Sequence, residues 1–343
     1  MQRLASFLGW AATAFVLGGA SILAQVQEVA SHVAMGVEFH ISIHGCDLPA
    51  VNAAMQRAKN RIDDADAALS DYKSNSELMR WMRQSQPGEW HPVSPLLFAT
   101  IRRSLEISRD TDGAFDITIG PVSKLWRGSI KRNRLPNPDD IAAALERVGY
   151  QHVELSERDG AGQVRLLKRE MQLDFGGIGK GFAADLAVEA ARRDGIYGVL
   201  VDASGDIRVW GEPIDHAAWK ILLPRHGNVE DWMMEIVDGA VATSGEFYQS
   251  LEVEGQVYSH IVDPKTGWGT QTMVRVTVRG PDGATADAWA TALSTLHPES
   301  AWELAEKRPD IEAMLIWRTS SNELQSRATT GFRGSKARKV IND

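Results

Sequence analysis

Three short stretches of this chain carry residue types whose spacing could do chemistry. The first is Asp174-Phe175-Gly176-Gly177-Ile178-Gly179-Lys180-Gly181, where four glycines fall within six positions between an expected strand and an expected helix. Glycine lets the backbone approach a ligand closely. A helix N-terminus then offers N–H groups and partial positive charge to phosphate, and Lys180 adds a point charge. The spacing is not that of a P-loop, because Gly181 follows the lysine where Ser or Thr is required, nor is it a dinucleotide fingerprint with a ribose carboxylate. With Asp174 and Lys180 flanking the glycines, phosphate or metal binding is the favoured reading. A bare strand-to-helix turn is the alternative.

The second stretch is Asp287-Ala288-Trp289-Ala290-Thr291. On a helix, positions i and i+4 project from one face, so a carboxylate and a hydroxyl could share a hard cation such as magnesium. Taken alone, the better reading is Thr291 bonding back to its own helix and Asp287 helping to cap the helix start. The third is Tyr258-Ser259-His260-Ile261-Val262-Asp263-Pro264-Lys265-Thr266-Gly267, an alternating strand that runs into a Pro-Gly turn. His260 stands at the strand's end and is a candidate general base, since imidazole titrates near neutral pH. The chain has nine histidines, so His260 gains no weight from residue type alone. Glycine-bearing bends at Asp112 to Pro121, Ala203 to Arg208 and Ala242 to Gly245 add polar side chains beside apolar ones. Each is separately a turn; together they imply loops converging on one extended polar ligand.

The elements that must position these residues follow from periodicity. Val37 to Ile43 alternates as a half-buried strand, and Leu48 to Leu69 has the spacing of an amphipathic helix. Helices are expected over Pro95 to Arg109, from Asn137-Pro138 to Val148 with Gly149 as the stop, and over Gly181 to Arg193, Thr285 to Leu296 and Glu299 to Arg308. Strands are expected over Gly198 to Val209, Trp219 to Leu223, Val257 to Val262, Met273 to Arg279 and Ala313 to Trp317, with a hairpin over Gln163 to Leu173. Strands and helices alternate irregularly, with several strand-to-strand steps. That implies an α+β fold of mixed or antiparallel sheets with packed helices rather than a doubly wound parallel sheet. Residues 25–335 read as one unit with two lobes as a variant, and the polar, basic tail from Arg327, in particular 336–343, is expected to fray.

The 343 residues are 43% hydrophobic and 24% charged, enough for a sizeable core. A formal charge of -8 argues against nucleic acid as a partner, which would need a basic stripe. Residues 1–24 open with Arg3, then carry no charge through Gln27, and the apolar run ends in small residues. This reads as a secretory signal cleaved near Ala20 or Ala24, with an uncleaved anchor helix as the alternative. Cys46 is the sole cysteine, so no internal disulfide can form.

Taken in order, the motifs Met35-Gly36, Leu69-Ser70-Asp71-Tyr72 with Ser76-Glu77, Gly113-Ala114-Phe115-Asp116, Asp174 to Gly181, Ser259 to Pro264, and Ala286 to Thr291 resemble those of the ApbE family of FAD:protein FMN transferases. The resemblance runs from Met35 to about Phe332. It implies that Met35, Tyr72, Ala114, Phe115, Asp116, Asp174, Lys180 and Val262 line a site for FAD. It also implies that the carbonyl of Gly177, the carboxylate of Asp287 and the hydroxyl of Thr291 hold Mg2+, which reverses the preference for the capping reading of that pair. His260 matches the residue that would activate the acceptor hydroxyl. The implied partners are FAD and an acceptor protein bearing a Thr or Ser, such as a membrane redox-complex subunit. The implied location is exported and periplasmic, with tethering to the inner membrane if the leader stays uncleaved.

The chain departs from the family pattern at Ala290, where some relatives have a second carboxylate, and at Ser204-Gly205, where a Gly-Gly is common. It also lacks the cysteine that lipidated relatives carry, Cys46 lying too far from the apolar run. Hydrolysis of FAD to FMN and AMP, and FAD holding without catalysis, are the alternative activities.

Overall fold

Alternating apolar residues and a left-handed turn lay down the first strands. In this computed structural model, which describes residues 25–223, 232–245, 250–253, 256–270, 274–319, 321, 323–334 and 338–339, β1 (Val26–Ala34) and β2 (Val37–Gly45) pair antiparallel. Met35 and Gly36 join them with φ of 52° and 77°, the signature of a two-residue hairpin turn. The chain continues through α1 (Leu48–Leu69), α2 (Glu77–Gln84), β3 (His91–Pro92), α3 (Pro95–Asp110), α4 (Gly120–Arg132) and α5 (Pro138–Leu145). Asp47, Ser76, Ser94 and Asn137 cap α1, α2, α3 and α5 by accepting a backbone N–H of the first turn. Then come β4 (Val153–Arg158), β5 (Ala161–Leu166), α6 (Gly179–Ala191), β6 (Ile196–Ala203), β7 (Asp206–Gly211) and β8 (Trp219–Leu223). β9 (Trp232–Ile236), β10 (Asp238–Ser244), β11 (Ser250–Val253), β12 (Gln256–Ser259) and β13 (Val274–Gly280) follow. The last elements are α7 (Gly283–Thr295), α8 (Pro298–Glu306), β14 (Glu312–Arg318), β15 (Leu324–Ala328), α9 (Thr330–Gly334) and β16 (Arg338–Lys339).

One antiparallel sheet of eight strands, in the order β1-β2-β6-β7-β10-β13-β14-β15, forms the spine. Strands β10, β13 and β14 are buried on both faces, whereas the edge strand β1 alternates and leaves Val29 and Val33 exposed. Ala240, Ala242, Ala313 and Leu315 point to the layer of α1, α6 and α7, while their neighbours Val241, Met314 and Ile316 pack with Ile221 and Met234 of the β8–β9 layer. A third apolar cluster, with Trp126 of α4, Ala144 of α5, Tyr258 of β12 and Val262, stands apart from both. The expected α+β class with antiparallel sheets and packed helices is therefore the observed one.

Four expectations need correction. The strand expected over Gly198 to Val209 is two, β6 and β7, paired antiparallel through a turn at Ser204-Gly205 with φ of 58° and 101°. The hairpin is β4–β5, and Gln163 to Leu166 is only its second arm. Its turn is Asp159-Gly160, with φ of 53° and 76°, the two-residue Asp-Gly signal that fixes hairpin register. The strand expected to run to Val262 ends at Ser259, because Ile261 and Val262 bond across to Thr270 and Gly269 instead. The tail from Arg327 does not fray at once: β15 pairs with β14, and Phe332 is fully buried beside Trp232. Apolar burial outweighs the basic composition there. The leader over residues 1–24, Met273, and most of 336–343 lie outside the described residues. Among the described residues no helix is long and apolar enough to cross a membrane.

Candidate active site

A cleft of about 450 Å³ opens where the α6–α7 layer meets the α4–β12 cluster. All twelve residues singled out from sequence line it: Met35, Tyr72, Ala114, Phe115, Asp116, Asp174, Gly177, Lys180, His260, Val262, Asp287 and Thr291. They come from segments more than 250 residues apart in the chain, so their convergence is a property of the fold.

One wall is a helix crossing. α6 and α7 approach so closely that a Cβ on Gly181 would lie 2.1 Å from the carbonyl oxygen of Gly283, and one on Gly177 would lie 2.9 Å from Thr291 Oγ1. Glycine is required at both for contact reasons. The crossing brings the Gly181 N–H to Asp287 Oδ2 at 3.1 Å. Lys180 pairs with Asp206 and stands 3.9 Å from Asp287 Oδ2. Thr291 Oγ1 lies 3.3 Å from Ser244 Oγ at the end of β10.

Asp287 is 2% exposed, and its charged form is poorly served. Burial, reinforced by the Asp206 carboxylate, pushes its pKa up to about 7, against the opposing pull of Lys180 and the Gly181 N–H. A buried carboxylate beside a hydroxyl and a backbone carbonyl is a hard-oxygen set that a divalent cation would stabilise. Among the described residues no three His, Cys, Asp or Glu side chains gather to hold a metal. One carboxylate, one hydroxyl and one carbonyl would leave most of a hard cation's shell to water and ligand oxygens.

The glycine turn needs a narrower reading than sequence gave it. Gly176 donates to Asp174 Oδ1, Ile178 and Gly179 donate to the Phe175 carbonyl, and Gly181 donates to Asp287. These four N–H groups are spent inside the fold, so the glycines serve chain packing and the placing of Asp287 more than a phosphate cradle. Asp116 is narrowed likewise. Its Oδ1 accepts from the Thr118 N–H and hydroxyl at 2.8 and 2.7 Å, and its Oδ2 from the Tyr150 N–H at 2.8 Å. Burial nevertheless holds its pKa above the ordinary carboxylate range. It lines the cleft beside Ala114 and Phe115 with its carboxylate oxygens already engaged by the fold.

The other wall is built by α4 and the loops after α1 and β12. Arg127 was not read from sequence, yet it lines the cleft. Its guanidinium bonds Asp71 and, at 2.7 Å, Asp174 Oδ2, and it lies 4.4 Å from the centroid of the Tyr72 ring. Burial opposes its charge, but the two carboxylates outweigh that and raise its pKa above the usual arginine value. Its partners lie 56 and 47 residues away in sequence, so no local spacing announces them. Ser244 was likewise missed as an oxygen donor, although the bend holding it was noted. His260 sits just past β12, exposed at the rim. Val262 anchors that loop by its bridge to Gly269 and its burial in the third apolar cluster.

Comparison with known proteins gives this geometry a lineage. The family model described as "ApbE family" matches residues 35–315. A Klebsiella pneumoniae FAD:protein FMN transferase is 31% identical over 280 residues, covering 80% of each chain. The Escherichia coli K12 protein of the same name is 30% identical over 279 residues, 80% of this chain and 79% of that one. The crystal structure of the Pseudomonas stutzeri flavinyl transferase ApbE, apo form, superposes with a TM-score of 0.80 at 25% identity, covering 92% of this chain and 99% of that one. The ApbE protein of Thermotoga maritima has the same fold, with a TM-score of 0.78 at 24% identity. With four-fifths of its length matched in sequence and the fold shared throughout, the chain belongs to the ApbE family.

Proposed function

We propose that this protein transfers the FMN half of FAD, with magnesium, to a Thr or Ser hydroxyl of another protein and releases AMP. The observation that carries the reading is the cleft itself. It gathers a buried, under-compensated carboxylate, a hydroxyl and a carbonyl on one wall, and an exposed histidine on the rim where a protein hydroxyl could enter. The relatives that match this chain across four-fifths of its length carry the name FAD:protein FMN transferase.

FAD holds two phosphates joined by an anhydride. An acceptor hydroxyl attacks the FMN phosphorus, a new phosphoester bond forms, and the anhydride bond to AMP breaks. Gly177, Asp287 and Thr291 would hold Mg2+, which when bound supplies neutralisation of the charge that grows on the diphosphate. His260 takes the proton from the attacking hydroxyl. Met35, Phe115 and Val262 present apolar surface that positions the flavin and excludes water from the reacting phosphorus. Lys180 holds Asp206 and Asp287 in register, so that Asp287 keeps its place on the cation side of the cleft.

The same parts with water as nucleophile would give FMN and AMP. Rim exposure of His260 favours a protein acceptor, since a water nucleophile needs no open rim. We further propose an exported, periplasmic location from the apolar leader, tethered to the inner membrane where the leader is retained. The test of transfer is to replace the acceptor's hydroxyl residue. Flavin should attach covalently to a Thr- or Ser-bearing acceptor loop and not to its Ala variant. Attachment that ignores the substitution would overturn the reading.

A further inference from the structure

We infer that Arg127 is a positioning residue for the dinucleotide: it holds Tyr72 as a stacking platform and ties α4, the loop after α1 and the head of the glycine turn together across the cleft. The inference rests on the flavin-transfer reading above and adds to it a residue outside the Asp287–Thr291 wall and the His260 rim.

Arg127 projects from α4 into the cleft beside Asp71, Tyr72 and Asp174. One end of its guanidinium bonds Asp71 in the loop after α1, and the other bonds Asp174 Oδ2 at 2.7 Å at the head of the glycine turn. The second oxygen of Asp174 takes the Gly176 N–H at 2.8 Å, so the guanidinium orders that turn through Asp174. The planar fork is what permits two carboxylates and a ring to be met at once, and an ammonium group cannot reproduce it. With both ends committed to carboxylates, Arg127 acts on a ligand through its neighbours rather than as a phosphate clamp.

Tyr72 shows how. It is 78% exposed, yet its ring rests on the guanidinium at 4.4 Å. One ring face is therefore covered and the other is open to the cleft. An aromatic side chain on a loop would otherwise lose its rotamer freedom only on binding, which weakens affinity; a ring already held against arginine has lost it beforehand. The open face suits a flat aromatic ring, of which FAD carries two. There is also a charge argument. Asp71 and Asp174 both line this cleft, and without the guanidinium between them they would repel each other and an incoming diphosphate.

The test is FAD affinity, read from flavin fluorescence in magnesium buffer, and the kinetics of AMP release, for the wild type, Arg127→Ala, Arg127→Lys, Tyr72→Ala and the Arg127→Ala/Tyr72→Ala pair. Arg127→Ala should weaken FAD binding about tenfold and raise KM alike, with kcat at saturating FAD changed less than about threefold. Arg127→Lys should remain weaker than wild type by about threefold or more, since it can meet one carboxylate and cannot back the ring. Tyr72→Ala should cost less in the Arg127→Ala background than in the wild type. Binding of FMN and of ADP, measured the same way, identifies the ring: one half-ligand should share the loss. Unchanged affinity in Arg127→Ala, a loss confined to kcat, fully additive costs, or a loss shared by neither half-ligand each overturns the inference. Should Arg127→Ala not fold, Arg127→Lys decides, and wild-type affinity there overturns it. A wild-type protein that binds no FAD removes the flavin reading itself, which is a separate result from intact binding that ignores Arg127.

Discussion

The two walls of the cleft are built on different principles. The α6–α7 wall is part of the core: Gly181, Ala184, Asp287 and Ala290 are all buried, and the helices touch through glycine. Its polar groups are few: Asp287 takes the Gly181 N–H and stands near Lys180, which pairs with Asp206. The opposite wall hangs on side chains. Arg127, Asp71 and Tyr72 hold one another across long sequence separations, and His260 rides an exposed loop. On the proposed function, the difference separates two tasks. Holding a cation and a diphosphate needs rigid, dry oxygen donors, while accepting a bulky flavin and then a protein hydroxyl needs an accessible, adjustable surface.

Substitutions at four positions test that division. The largest effect belongs to Asp287→Ala, expected to lower AMP release about a thousandfold, the scale of losing a cation's charge stabilisation at a reacting phosphate. A fall of tenfold or less, measured at saturating magnesium, would contradict the assignment. The conservative Asp287→Asn carries a stability signature as well. Because the folded-state pKa is raised from 3.8 to about 7, ionising Asp287 costs stability. The favourable contribution is full below about pH 4 and is lost as pH rises through about 7. In metal-free buffer Asp287→Asn should therefore melt higher than wild type at pH 8 and no higher at pH 4, and added magnesium should raise only the wild type.

Next in size is Gly181→Ala, which forces a methyl group against the Gly283 carbonyl. Overpacking of that kind is expected to destabilise by about 3 kcal/mol. Chemical denaturation would measure it, and a loss below about 1 kcal/mol would show that the crossing yields. On the loop-built wall, His260→Ala should slow transfer about a hundredfold while FAD affinity holds within about twofold. Loss of both in parallel would move His260 from catalysis to binding. The smallest effect is expected at the exposed Lys265–Asp112 pair, 2.8 Å apart, which links the His260 loop to the turn ahead of Ala114. Lys265→Ala should leave the melting temperature unchanged, because exposed ion pairs gain little.

The same division explains what could be read from sequence. In the core wall the glycine run was legible because its signal is local, Gly176 to Gly181 being a single stretch, whereas the Asp287/Thr291 spacing alone favoured capping and became a cation pair only through the family resemblance. What sequence could not show was where the glycine N–H groups go, since Asp287 lies 106 residues from Gly181. Asp116 illustrates the same limit, its carboxylate being consumed by Thr118 and by Tyr150, 34 residues on. Arg127 had no local signal at all, being one cation on an amphipathic helix until the fold sets Asp71 and Asp174 at its two ends. Among the elements, α1 and β8 were read to the residue, because their periodicity is unbroken. β1, β9, β10 and β11 were not read, and among the described residues β11 and β12 form a sheet of two strands, a short ribbon that left little pattern to find.

The most direct measurement of the central claim is intact mass of a Thr- or Ser-bearing acceptor domain, taken together with AMP, after incubation of the protein with FAD and magnesium. The account predicts an acceptor heavier by one FMN residue, one AMP per acceptor modified, and neither product with Asp287→Ala. AMP with free FMN and an unmodified acceptor, or bound FAD with no AMP at all, would contradict it.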